Sequence, residues 1–154
     1  MNDAPDPTPA AAEPLAPKRR FWPRLLIASG GYFGVVFAVG LLLGPIRVLW
    51  LEPWLGATLA VLCEMPFLLA AMGWAARNAP KWAGLPRGLL SRLAMGLLAL
   101  LMQQAADLSV GFGLRGMNLQ AQLDYFSTPA GWVYAFALVL FVFMPVFALW
   151  SPKR

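Results

Sequence analysis

Four apolar runs divide this chain, separated by stretches that are polar, basic or rich in proline. The first, Leu25 to Leu43, has 19 residues without a charge, close to the roughly 20 a helix needs to cross a hydrocarbon core about 30 Å thick. The others cover about residues 54–76, 93–112 and 130–150. The pattern predicts an all-α membrane protein, a four-transmembrane-helix bundle built from residues 21–154. Residues 1–20 differ in kind: they are rich in Ala and Pro, end on Lys18-Arg19-Arg20 and have no apolar periodicity, so a disordered N-terminal tail is expected.

The separators add detail. GPIRVLWLEP, residues 44–53, carries Pro45 where a short interfacial helix could begin. RNAPKWAGLPRGLLSR, residues 77–92, reads as a basic loop with two prolines. GLRGMNLQAQLDYFSTP, residues 113–129, reads as a polar connection. The Arg19-Arg20 pair is similar to a twin-arginine signal, but the run after it exceeds the usual 7–15 residue apolar core and no A-x-A site closes it. An uncleaved first span is expected.

Composition supports a lipid solvent: 60% of residues are hydrophobic and 12% charged, against roughly 25% charged in soluble domains. The net charge of +5 would ordinarily raise nucleic acid as a partner, yet the cations gather at the ends of the apolar runs. Ten of the twelve Lys and Arg fall on one side of the predicted topology, and only Arg47 and Arg115 on the other. By the positive-inside rule both termini are cytoplasmic. Trp22, Trp74, Trp82 and Trp150 then mark the inner interface, and Trp50, Trp54, Tyr125 and Trp132 the outer. The Ala-, Leu-, Gly-, Pro- and Arg-rich composition fits GC-rich codons, hence a bacterial inner membrane.

The residue inventory narrows the chemistry. Histidine is absent and Cys63 is the single cysteine, which removes zinc sites built on His or several Cys, the usual haem ligand and His-based triads. Ser29, Ser109, Ser127 and Thr128 have no base at a useful position. No catalytic residue, cofactor site or metal site is therefore expected. The methionines have no ligand spacing, and the Gly30/Gly34 and Gly40/Gly44 pairs suit close helix packing within the chain.

Polar residues inside the apolar runs are the candidates for function. Glu64 sits mid-span in VLCEMPFLLA, two residues before Pro66, and Gln103 and Gln104 lie at the same depth in the third run. A charge at that depth costs roughly 2.5–3.5 kcal/mol, so Glu64 should face the bundle interior and be protonated. One reading makes Glu64 an interhelical clasp to Gln103 or Gln104; the other makes it a protonatable transport or ligand site. Pro66 adds a carbonyl, that of Leu62, freed of its helical donor. Pro145 should act similarly in the fourth span. Asp107 lies one turn outward of Gln103, where an outer-rim ion pair with Arg47 is expected, with Glu52 and Arg115 nearby; it reads either as an anchoring pair or as a pocket for an anionic lipid or a substrate headgroup.

Taken with GPIRVLWLEPWLG, CEMP and YFSTPAGWVY, the chain over about residues 25–150 resembles a family of small four-helix bacterial inner-membrane proteins of unknown function. The resemblance implies topology and no biochemistry. The functional expectation is a non-enzymatic accessory, assembly or structural subunit. Its partners would be the lipid bilayer and another membrane protein or a second copy, with no nucleic acid. The alternative is a small proton-coupled transporter centred on Glu64, and a weaker third is a lipid-modifying enzyme using Glu64 or Asp107.

Overall fold

A computed structural model describes residues 20–114, 120, 123–124 and 126–150; the N-terminal tail, Arg115 and Tyr125 lie outside them. The described residues form helices and turns with no strand. Helix α1 (Phe21–Ile46) passes through a π-helical turn, Arg47–Leu51, into α2 (Glu52–Trp82). Helix α3 (Leu89–Leu114) follows a short loop, and α4 (Pro129–Phe147) completes the bundle. Three helical stretches are long and apolar enough to cross a membrane: the joined Phe21–Trp82, Leu89–Val110 and Pro129–Phe147.

The joined stretch folds back on itself. A Cβ added at Gly31 would lie 3.7 Å from Ala79, and one at Gly40 would lie 3.9 Å from Leu68. Residue numbers rising on one arm while falling on the other make α1 and α2 antiparallel. Two features release the turn. Backbone Glu52 N–H reaches the Arg47 carbonyl, five residues back, in the wide π turn. Gly56 then adopts φ 77°, ψ 161°, a conformation essentially confined to glycine. Pro45 does not open a separate interfacial helix as expected; α1 runs through it to Ile46.

Helices α2 and α3 extend into the segment read as a basic loop, which shrinks to residues 83–88. A Schellman motif ends α2: Leu85 N–H bonds to the Pro80 carbonyl at 2.9 Å and Gly84 N–H to the Lys81 carbonyl at 3.2 Å. Gly84 holds the left-handed φ of 62° that this cap requires. At α4, the Thr128 hydroxyl accepts a hydrogen bond from Gly131 N–H at 3.0 Å, and Pro129 occupies the first helical position.

Chain neighbours are not always spatial neighbours. Helix α1 packs on α2 and α3, and α4 packs on the same two, so α2 and α3 stand diagonally across the bundle, as do α1 and α4. The core fills one end, near the α2–α3 loop. There Tyr32 stacks on Phe141 with ring centroids 4.6 Å apart, among Ala28, Ala75, Ala76, Met95 and Ala99. Glycine allows α3 and α4 to touch, since a Cβ at Gly96 would lie 2.1 Å from the Val142 carbonyl oxygen.

Proline shapes this packed end in a specific way. Pro145 has no N–H for the carbonyl of Phe141, four residues back, and Pro80 has none for that of Ala76. Both carbonyls receive side-chain donors instead. Tyr32 Oη–H donates to Phe141 O at 2.8 Å, and Arg92 Nη1 donates to Ala76 O at 3.2 Å. Each donor comes from the diagonally opposed helix, so the two proline-freed acceptors tie the bundle together across its centre.

Candidate functional site

The other end of the bundle, beside the α1–α2 turn, holds an open-sided cavity of about 590 Å³. Its walls run from Val36, Met72 and Phe141 at the packed core to Arg47, Glu64 and Asp107 near the turn. Arg47 lies 11 residues beyond Val36, which at about 1.5 Å per residue makes a slot roughly 16 Å long. Helices α1 to α4 and the π turn contribute. The deep part is apolar, and the part nearest the turn is ringed by Arg47, Glu64, Gln103, Asp107 and Tyr134.

Arg47 sits between two carboxylates. Its Nη1 lies 3.2 Å from Glu52 Oε1 and its Nε lies 3.2 Å from Glu64 Oε2. The π turn explains the first pair, because its five-residue spacing brings positions 47 and 52 to one side. The second is a charge contact without a directed hydrogen bond, for the Nε–H is buried and finds no acceptor in bonding geometry. The side chains of Arg47 and Glu64 are only 16% and 11% exposed, so the pair stands largely out of water, where attraction is weakly screened.

Asp107 is held differently. Gln103 Nε2 donates to its Oδ1 at 2.9 Å along one turn of α3, and Tyr134 Oη–H from α4 donates to its Oδ2. A carboxylate only accepts, so the Gln103 amide must turn its NH₂ toward Asp107. That leaves Gln103 Oε1 buried without a donor. Gln104 stands at the edge of the group, its Oε1 3.5 Å from the Tyr134 hydroxyl, a long contact for an O–H donor.

Two expected pairings are therefore corrected. The Glu64–Gln103 or Gln104 clasp does not form, because α2 and α3 are diagonal rather than adjacent and Glu64 meets a guanidinium in the nearby turn. The Arg47–Asp107 ion pair does not form either, because Arg47 is engaged by Glu52 and Glu64 while two neutral donors hold Asp107. Arg47, Glu64, Gln103 and Asp107 line the same cavity, and Gln104 falls outside its lining. Tyr134 was missed, since a tyrosine near the start of an apolar run resembles an ordinary interfacial aromatic. Its signal was a depth matching that of Asp107 on an antiparallel helix.

Among the described residues, no group of three His, Cys, Asp or Glu is placed to hold a metal ion, and Cys63 is exposed on the outer surface of α2. The arrangement is suited to binding: an apolar slot with a polar end in which charges are only partly balanced. No known protein family matches this chain, and no curated protein or solved structure is detectably similar to it.

Proposed function

We propose that the chain is a non-enzymatic, four-span protein of a bacterial inner membrane, with both termini cytoplasmic, that binds a small amphiphilic molecule in its cavity as a carrier centred on Glu64. The cavity carries this reading. A subunit serving only as packing material would fill the space beside its intramembrane polar groups, whereas here five polar side chains, paired with one another, border an open-sided cavity. Pockets of roughly 300–1,000 Å³ with apolar walls and few polar groups are the usual form of a small-molecule site.

Three helical stretches long and apolar enough to cross a membrane support the membrane setting, and the antiparallel fold-back of α1 on α2 is compatible with four crossings. Trp22, Trp82 and Trp150 are exposed at the packed end of the bundle, and Trp50, Trp54 and Trp132 at the cavity end, in keeping with two interfacial belts. The ten-to-two distribution of Lys and Arg puts the packed end on the cytoplasmic side. A reporter active only in the cytoplasm should work when inserted near Gly84 and fail near Gln120; the reverse pattern would overturn the orientation.

Native mass spectrometry of the protein released from its own membrane in mild non-ionic detergent tests the binding role. The expected result is one small-molecule adduct per chain, lost in Gly44→Leu. Gly44 lines the cavity and has open space at its Cβ position, so a leucine there fills the slot without a clash. A chain free of adducts that co-elutes with a larger membrane complex would restore the accessory-subunit role.

A further inference from the structure

Resting on the cavity as a ligand site, we infer that its occupant is a single-chain amphiphile with a protonated primary amine as its head. The ammonium lies among Glu64, Gln103 and Asp107, and the chain lies against Val36, Met72 and Phe141. Three observations converge on this chemistry.

The first is charge. Among the described residues the polar end holds one guanidinium, Arg47, against the carboxylates of Glu52, Glu64 and Asp107. Arg47 is already shared between the two glutamates, and Asp107 has only the neutral donors Gln103 and Tyr134. A cation entering the cavity would correct an imbalance that an anion would worsen. Carboxylates in a weakly screening interior interact strongly with such a charge.

The second is hydrogen bonding. Gln103 Oε1 is a buried acceptor with no donor, and the amide cannot turn to hide it without breaking its bond to Asp107. Glu64 accepts no directed hydrogen bond from Arg47 Nε. What the site lacks is N–H donors together with positive charge. An ammonium offers three donors and no acceptor. An alcohol brings a donor without charge, a quaternary ammonium brings charge without a donor, and a carboxylate brings neither.

The third is shape. The slot is apolar over its deeper part, and a bare inorganic cation would leave that wall without a partner. A volume of about 590 Å³ lies in the range of one small ligand, and the slot, one helix face wide, suits a single chain. With the polar end beside the α1–α2 turn, the ligand's head faces the outer interface and its chain points toward the bilayer middle. This is the orientation of an outer-leaflet lipid.

The test uses the full chain in non-ionic detergent at about pH 7, where an alkylamine is protonated. Dodecylamine, dodecyltrimethylammonium, dodecanol and dodecanoate are titrated, and single adducts are counted by native mass spectrometry. Dodecylammonium should bind tightest, by about tenfold over dodecanol and more over dodecanoate. Asp107→Asn should remove most of that preference, and Gln103→Leu should weaken the primary amine more than the quaternary one. The ligand order in the unmodified chain decides the matter even where a variant fails to fold. Dodecanol or dodecanoate binding as well as the amine would overturn the cationic-head assignment alone. No binding by any of the four would overturn it together with the reading of the cavity as a ligand site.

Discussion

The two ends of this bundle use the same materials to opposite effect. Both contain glycine, proline and isolated polar side chains within long apolar helices. At the packed end, Gly96 brings two backbones into contact, and the carbonyls freed by Pro80 and Pro145 receive Arg92 and Tyr32. At the cavity end, Gly44 faces open space. The carbonyls freed by Pro45 and Pro66, those of Leu41 and Leu62, have no side-chain donor among the described residues. Polar groups there meet one another around a void. A small or polar residue in a membrane helix thus has no fixed meaning; what it faces decides whether it closes a structure or opens one.

The largest effect should come from setting the two glycines against each other. Gly96→Ala places a methyl group where the Val142 carbonyl already stands, and overpacking of this kind costs about 1–3 kcal/mol. Gly44→Leu adds its side chain to empty space and exchanges a poor helix former for a good one, a gain of up to about 1 kcal/mol. Unfolding in mild detergent followed by circular dichroism should rank them in that order. Equal losses from both would erase the distinction between the ends.

Tyr32→Phe comes next. It keeps the ring stacked on Phe141 but removes the donor to a carbonyl that Pro145 cannot serve, leaving a buried acceptor unsatisfied at a cost of about 1–3 kcal/mol. The same denaturation assay reads it, and a change near zero would mean that the diagonal bond contributes little to stability.

The smallest change in stability should follow Glu64→Gln. Arg47 keeps Glu52 as a partner 3.2 Å away, so no charge is orphaned and the loss should fall well below the roughly 3–5 kcal/mol that follows when a buried ion loses its partner outright. Its signature should be functional, as weaker amine binding with the fold retained. A variant that binds dodecylamine as the parent does would remove Glu64 from the site.

How much of this was legible in the residues differs element by element. The apolar runs, the caps at Thr128 and Gly84 and the tryptophan positions follow local rules, since each depends on spacing within a few residues. The list of candidate site residues was equally accessible, because a charge or amide within an apolar run has few reasons to be there. The pairings were not. Glu64 with Gln103 looked natural for antiparallel neighbours, and Arg47 with Asp107 for residues at one depth. Both readings assumed that helices adjacent in sequence are adjacent in space.

The sequence by itself determined the helical composition, the lengths of the apolar stretches, the asymmetry of positive charge and the identity of the polar residues within them. Those properties come from backbone hydrogen bonding and transfer energy, which act residue by residue. Only the tertiary structure decided that α2 and α3 stand diagonally and that a π turn aligns Arg47 with Glu52. Tyr32 and Arg92 likewise reach the proline-freed carbonyls only once the helices are packed, and the space around Glu64 is left open by the same packing. These depend on which helix faces turn inward when apolar helices meet, a choice made by the fit of side chains from distant parts of the chain.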